Sequence, residues 1–360
     1  MADCTTKPGG GAAWVTGSVS TQAGEVKRIS TRWNHEDFRG QIKCRLINSF
    51  RMNYSIEPGI YAVGNAGPES PVLVSANYKL SFDLLRRELN GLSAWVLVLD
   101  TKGINVWCAA GKGSFSTREL VRRIEATQLT DVVRHRDIIL PQLAAPGIQA
   151  HLVKKETKFS VSYGPIRAKD IPAYLKAGKT ATQEMRTISF SLVDRLVLTP
   201  MELVPAGRKM LYYFLAVFII FGLQPEGILF RDAFSTGLPF ASMGILAVLA
   251  GAFFTPLLLP LIPFRSFAVK GWLAGLIFSV LFIGLKYDFL INNIILLVLT
   301  LLLFPALSSY LALNFTGSTP FTGISGVKKE LKITLPLYIT ALAVSLGLTI
   351  LYLLKKWGIL

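Results

Sequence analysis

Cysteine is scarce in these 360 residues: there are three, Cys4, Cys44 and Cys108, and no two stand in a CxxC spacing. A four-thiolate iron–sulfur cluster or a cysteine-rich zinc site cannot be assembled from them, so the chain is expected to lack a redox centre of its own. Histidine is equally sparse. His35, His135 and His151 show no recognisable partner signature, which disfavours a cysteine–histidine nucleophile. Acidic residues are in deficit, 22 against 38 Lys and Arg, for a net charge of +16. The excess is scattered: residues 1–200 hold 27 basic and 17 acidic side chains, and the remainder 11 and 5. A nucleic-acid surface would gather basic residues with stacking aromatics, so no nucleic-acid partner is expected. Attraction to anionic lipid headgroups accounts for the charge more simply. The first 40 residues also lack the apolar run of a signal peptide, which places the soluble part in the cytoplasm with its thiols reduced.

What the chain has in abundance is hydrocarbon, and it is concentrated in the last 150 residues, within a mean hydropathy of +0.46. Five stretches, 210–223, 238–264, 271–285, 289–315 and 333–354, contain no Asp, Glu, Lys, Arg or His. A bilayer core needs about 20 apolar helical residues. The first and third stretches are short and must borrow flanking residues. About five transmembrane helices are expected, in a multi-pass protein of the cytoplasmic membrane. Arg208, Lys209, Arg265, Lys270, Lys328, Lys329 and Lys332 would flank the cytoplasmic side, against Arg231, Lys286, Lys355 and Lys356 opposite, which fits the positive-inside rule. Ionisable groups within the spans would mark a transport path; the nearest, Lys270 and Glu226, stand at edges.

Ahead of the apolar part, residues 1–55 read poorly. Residues 56–185 read as one α/β domain and 186–209 as a linker to a membrane domain at 210–360. "SPVLVSANY" (70–78) and the wholly apolar "AWVLVLD" (94–100) predict strands, the second of the kind buried on both faces. Between them "SFDLLRRELNG" predicts a helix burying Phe82, Leu85 and Leu89, with Ser81 as N-cap and Gly91 as stop. "STRELVRRIEAT" (116–127) opens with Ser116 and Glu119 spaced as a capping box. "DIIL" (137–140), "IQAHLV" (148–153), "FSVSYG" (159–164) and the helical "AKDIPAYLKAG" (168–178) continue the alternation more weakly. This rhythm predicts a Rossmann-like, roughly parallel sheet. Ligands in such sheets bind beyond the carboxyl ends of the strands, which is where residues 101–115 fall.

That loop, "LDTKGINVWCAAGKGSFS" (99–116), holds Cys108 behind Trp107 among small residues. It is no Walker loop, because Val106 stands five before Gly111 and Gly113 follows Lys112; nor does it carry GxGxxG. A buried structural cysteine is the plain alternative. A thiolate ligand for a metal that tolerates sulfur is the other.

"NVWCAAGK" (105–112) resembles the cap-helix signature of the mercury-methylating corrinoid protein family. More distantly it resembles the corrinoid-binding domain of the acetyl-CoA-pathway corrinoid iron–sulfur protein. "EPGIYAVG" (57–64), "SPVLVSANYKLSFDLLRREL" (70–89) and "SYGPIRAKDIPAYLK" (163–176) share the likeness, and a corrinoid domain followed by about five spans is the mercury-methylating layout. The resemblance implies a cobalamin-type corrinoid with the Cys108 thiolate as lower axial ligand to cobalt. Asn105, Val106, Trp107, Ala109, Ala110, Gly111 and Lys112 would form the surrounding cofactor contact, the small residues admitting the macrocycle. It implies methyl transfer to Hg(II) as a carbanion equivalent, giving methylmercury and Co(III). Return to Co(I) then needs a ferredoxin-like iron–sulfur electron donor, and remethylation needs a methyl-donor methyltransferase. Two alternatives stay open: a membrane-anchored corrinoid methyl carrier of the acetyl-CoA pathway, and a transporter with a cytoplasmic ligand-binding domain.

Overall fold

The computed structural model describes residues 13–225, 227–285 and 288–360. Cys4, Glu226 and Lys286 lie outside them. The chain divides into two compact units, residues 1–189 and 190–360.

The first unit is a seven-stranded mixed sheet, largely parallel, in the order β1-β2-β3-β5-β4-β6-β7. Its strands are β1 (Val15–Thr21), β2 (Gly24–Ile29), β3 (Gly59–Val63), β4 (Val72–Ala76), β5 (Ala94–Leu99), β6 (Asp137–Leu140) and β7 (Ser160–Tyr163). β5, β4, β6 and β7 run parallel, while β3 is antiparallel to β5 and parallel to β2. Every residue of β4 and β5 is buried, as expected of strands covered on both faces. Helices Thr117–Ala126 and Ala150–Thr157 contribute Leu120, Ile124 and Val153 to the core on one face. Helices Lys79–Glu88 and Ile171–Lys176 contribute Phe82, Leu85 and Tyr174 to the other.

Three local readings need correction. Ser81 lies inside the helix, which begins at Lys79 behind Tyr78, a residue whose side chain makes no capping bond. Ser116 caps its helix through the Glu119 N–H, but the Glu119 carboxylate does not return the bond; it accepts from the Asp100 N–H at 2.9 Å and pairs with Arg122 and Arg123. "IQAHLV" is not a strand. Ala150 starts a helix there, turning Val153 into the core while His151 and Lys154 to Glu156 stay outside that core.

The stretch before residue 56 is part of the fold. β1 and β2 form an antiparallel hairpin on the sheet edge, and Trp14 packs edge-on to Tyr61 and Phe82 at 5.8 and 5.3 Å. Helix His35–Leu46 is held by a capping box between Asn34 and Asp37. The second Asp37 oxygen accepts from Arg86 NH2 at 2.5 Å.

Among its described residues the second unit contains five helices long and apolar enough to cross a membrane: Leu192–Gly222, Phe230–Leu257, Phe267–Gly284, Ile294–Ser318 and Ser325–Lys356. The short stretch 210–223 is completed by residues of the expected linker, whose helix starts behind a Ser191–Asp194 capping box. The third and fourth helices meet where Gly271 and Gly275 face Ser308. A Cβ on Gly271 would sit 2.4 Å from that of Ala312, and one on Gly275 2.6 Å from that of Ser308. Small residues four apart let two apolar helices approach this closely.

Candidate functional site

Residues 100–115 leave the carboxyl end of β5 and form a loop and a short helix, Val106–Lys112. The loop is folded around one side chain, Asn77, at the carboxyl end of neighbouring β4. Its carboxamide oxygen accepts from the N–H of Thr101 and of Gly103, both at 3.0 Å, and lies 2.9 Å from the Thr101 hydroxyl. Lys102 and Gly103 are left-handed, with φ of 57° and 69°. Lys102 carries the strain of a side chain in that region, and the Asn77 bonds on either side hold it there. Asn77 falls within the strand segment 70–78 in sequence, and this role is not legible there because its partners stand 24 to 26 residues away.

The helix is capped at both ends by its own chemistry. Asn105 accepts the Cys108 N–H at 2.9 Å, and Gly113 closes the other end in the left-handed conformation, φ 79°. Val106 packs against the core, and Ala109 and Ala110 are buried in it. Asn105, Trp107, Gly111 and Lys112 are exposed, and Cys108 is half-buried. The eight residues thus sort into two faces. The smallness of Ala109 and Ala110 serves packing rather than the outer face. A Cβ on Gly147, in the turn Gln142–Gly147 that follows β6, would stand 3.2 Å from the Ala110 Cα and 2.1 Å from the Phe115 carbonyl oxygen. Gly111 alone keeps the outer face low: a Cβ there would meet nothing within 4 Å. Helix Asn48–Asn53 borders the loop, with the Met52 carbonyl 3.6 Å from the same construction on Gly103.

The two described cysteines differ in kind. Cys44 is 2% exposed among Tyr78, Leu80, Phe50 and Tyr54, and burial pushes its thiol up from the ordinary range. It is a packing residue. Cys108 stands at the surface, one helical turn before the gap at Gly111. His135, a candidate base by residue type, instead places Nε2 2.9 Å from the Ser70 carbonyl and Nδ1 3.3 Å from the Asp137 N–H. Among the described residues no group of three or more His, Cys, Asp and Glu could hold a metal ion. A lone thiolate is a poor site for a bare ion but suffices for a metal whose other positions a macrocycle fills. A partly buried cysteine beside exposed Gly111, where a Cβ would meet nothing within 4 Å, leaves room for a broad, flat group.

Replacing Asn77 with Ala tests the loop's construction. Two buried N–H groups would lose their acceptor, at a cost of about 2–4 kcal/mol, while the Thr101 hydroxyl keeps the Ile104 carbonyl at 2.6 Å, and Lys102 would relax toward negative φ. Thermal unfolding should fall for Asn77→Ala and less for Asn77→Asp, which keeps the acceptor oxygen. Equal, small losses in both would show that the loop does not depend on Asn77.

Residues 45–175 match the sequence profile of the family described as CO dehydrogenase/acetyl-CoA synthase delta subunit. Among curated proteins, the acetyl-CoA decarbonylase/synthase complex subunit gamma of Archaeoglobus fulgidus is 31% identical over 128 residues, 35% of this chain and 27% of that one. The subunits gamma of Methanopyrus kandleri, 31% identical over 123 residues, and Methanocaldococcus jannaschii, 37% identical over 97, match 34% and 26% of this chain and 26% and 20% of their own. The chain spans about a quarter of the length of these relatives. The profile match takes in β3 to β7 and the Cys108 helix, and it ends before the apolar unit.

Proposed function

We propose that this chain is a membrane-anchored corrinoid protein that transfers methyl groups, with Cys108 as the ligand beneath the cobalt. The observation that carries this reading is the Cys108 helix: capped at both ends, packed by Ala109 and Ala110, and holding a partly buried Cys108 beside exposed Gly111 at the carboxyl ends of parallel strands. The match of this region to subunits of acetyl-CoA decarbonylase/synthase complexes supports it. A bound corrinoid would supply the cobalt that carries the methyl group, and Cys108 would hold it through its thiolate, whose donated charge would suit transfer to an electrophile. The chain's own residues hold and orient. Asn105 fixes the Cys108 backbone by accepting its N–H; exposed Gly111 would leave room for the ring, and exposed Trp107 and Lys112 would meet its periphery.

Two acceptors are carried forward. The named relatives favour a methyl carrier of acetyl-CoA chemistry. The choice of a sulfur ligand, the octapeptide around it and the five apolar helices favour Hg(II) as substrate, with methylmercury as product. We favour Hg(II), because the octapeptide "NVWCAAGK" around Cys108, followed by five apolar helices, resembles the mercury-methylating layout. The electrons would then come from a ferredoxin-like partner and the methyl group from a separate methyltransferase. The N-terminal unit would lie in the cytoplasm. The test is to load the full chain with cobalamin anaerobically, supply a methyl donor and a low-potential reductant, and offer Hg(II) or an acetyl-CoA synthase in separate reactions. Methylmercury is expected in the first. Acetyl-CoA without methylmercury would assign the carrier chemistry instead, and a folded chain that takes up no corrinoid would sink both.

A further inference from the structure

The second unit has an opening that its proposed role as an anchor does not use. Between the third, fourth and fifth apolar helices runs a groove of ≈ 450 Å³, walled by Val269, Trp272, Leu302, Leu337, Ala341 and Val344 among others. Its volume lies in the ordinary range for small-ligand pockets, about 300–1,000 Å³. Val269, Trp272, Leu337 and Val344 are exposed, so the groove opens sideways, toward the surroundings of the helices. From Thr334 to Val344 it follows ten residues of the fifth helix, or about 15 Å.

Its polar groups are confined to one end and have their protons committed. The Ser309 hydroxyl donates to the Ala268 carbonyl at 2.7 Å, so the Tyr338 hydroxyl, 2.8 Å away, donates to Ser309. Thr334 donates to the Glu330 carbonyl at 3.0 Å. No Asp, Glu, Lys or Arg lines the groove. A polar solute or an ion entering it would find three of its four hydroxyls spent, and desolvation would go uncompensated. A hydrocarbon chain would meet no such cost.

Beyond the hydroxyl end the character changes. Glu330, one turn before Thr334, accepts from the N–H groups of Phe267 and Ala268 and from the Ser266 hydroxyl, at 3.0 to 3.2 Å. That carboxylate binds the starts of the third and fifth helices together at one edge. On the same edge Arg265, Lys328, Lys329 and Lys332 are exposed, and none forms an ion pair among the described residues. An apolar slot ending in a hydroxyl rim, with four unpaired cations beyond the rim, has the layout of a phospholipid read from tail to headgroup. Basic residues at a membrane surface attract anionic headgroups, and the tail satisfies the walls.

We propose that this groove binds one acyl chain of an anionic phospholipid, whose headgroup rests against Arg265, Lys328, Lys329 and Lys332. The proposal rests on the reading of the five helices as membrane spans. A lipid held there would fill the gap left by the fifth helix, which is the less enclosed of the three: 17% of its apolar window is buried, against 44% for the third and fourth.

The experiment uses the full chain extracted from membranes and exchanged into nanodiscs of phosphatidylcholine with a minor fraction of phosphatidylglycerol of the same chain length. Gentle transfer to detergent and native mass spectrometry then count the lipids retained. One phosphatidylglycerol per chain is expected, enriched at least about tenfold over its share of the disc. Val344→Phe, which adds bulk at an exposed wall position, should abolish retention of either lipid. Gln at Arg265, Lys328, Lys329 and Lys332 together should keep a retained lipid but lose the preference for phosphatidylglycerol. Equal retention by the wild-type chain and Val344→Phe would overturn the groove as the site. An unchanged preference without the four cations would overturn the headgroup assignment. A chain retained as a pair with no lipid would give the groove to a second copy instead. Recovery of the chain in the soluble fraction would remove the membrane reading and this proposal with it.

Discussion

Under the proposed function, Cys108→Ala is expected to accumulate in the membrane at wild-type level and to lose methyl transfer to Hg(II) by about a hundredfold or more. The first half of that expectation comes from packing. Cys108 is half-buried at the surface, so removing its sulfur opens no enclosed cavity, and the stability change should stay within about 0.5 kcal/mol. The helix keeps its caps, because Asn105 accepts from the backbone N–H of residue 108 and not from the side chain. The second half comes from ligand chemistry. Losing a residue that merely supports a metal ligand commonly costs 10–100-fold, and losing the ligand itself should cost at least as much. Cys108→His separates donation from occupancy. A neutral imidazole can still reach a metal but pushes less charge onto it, so it should restore part of the altered visible spectrum of the loaded chain and little of the activity. The measurement is methylmercury formation with the corrinoid spectrum and expression level recorded on the same preparation. Full activity in a well-expressed Cys108→Ala would falsify the ligand role. Wild-type spectrum with lost activity would move the role of Cys108 from ligand to substrate capture.

Much of this architecture is written in local pattern. β4 and β5 show as apolar runs because strands covered on both faces need no polar alternation. The Cys108 segment reads as a loop in the local pattern and as a helix only through the likeness of "NVWCAAGK" to a cap-helix signature, although its caps, Asn105 and Gly113, are sequence neighbours of what they cap. Features that depend on distant partners do not show. Asn77 looks like the end of a strand, and only the fold brings Thr101 and Gly103 to its carboxamide. Glu119 has the spacing of a capping box, yet the Asp100 N–H competes for its carboxylate and wins. "IQAHLV" alternates well enough for a strand, but the turn Gln142–Gly147 consumes the connection ahead of it and leaves room for a helix. Residues 13–55 are opaque for the same reason. β1 is polar on most of its length, an edge hairpin whose place is set by pairing with β2 and, through it, with β3. At the site, the octapeptide is legible as a motif, while its division into a packing face and an open face is a property of the helix on its sheet.

The largest stability effect is expected at Asp37, far from Cys108 in sequence and in a stretch that reads as an extension. Arg86 is fully buried. Its Nε donates to Asp83 at 2.9 Å, NH2 to Asp37 at 2.5 Å, and NH1 to the carbonyls of Ser30 and Arg32 at 2.7 and 3.1 Å. Three of these four acceptors come from residues 30–37. Lys79 joins the cluster, 2.6 Å from Asp83 and 3.7 Å from Asp37. Two buried carboxylates are thus balanced by two cations, and removing one carboxylate leaves positive charge uncompensated where water cannot reach it. Breaking such a buried pair costs about 3–5 kcal/mol, and Asp37→Ala also gives up the bond that its other oxygen accepts from the Asn34 N–H. In a unit of this size that corresponds to a fall in melting temperature of about 6–20 °C. Asp37→Asn keeps an oxygen for Arg86 and should fall by less. A chain that starts at residue 56 loses Asp37, both carbonyl acceptors, Trp14 and the β1–β2 hairpin together, so residues 56–185 alone should not fold, whereas residues 13–189 should fold and take up cobalamin. Circular dichroism and thermal unfolding of the two fragments, beside Asp37→Ala in the longer one, decide the matter. A cooperative transition in residues 56–185 at the temperature of the longer fragment would show that the Arg86 cluster is dispensable and that the N-terminal hairpin only decorates the sheet.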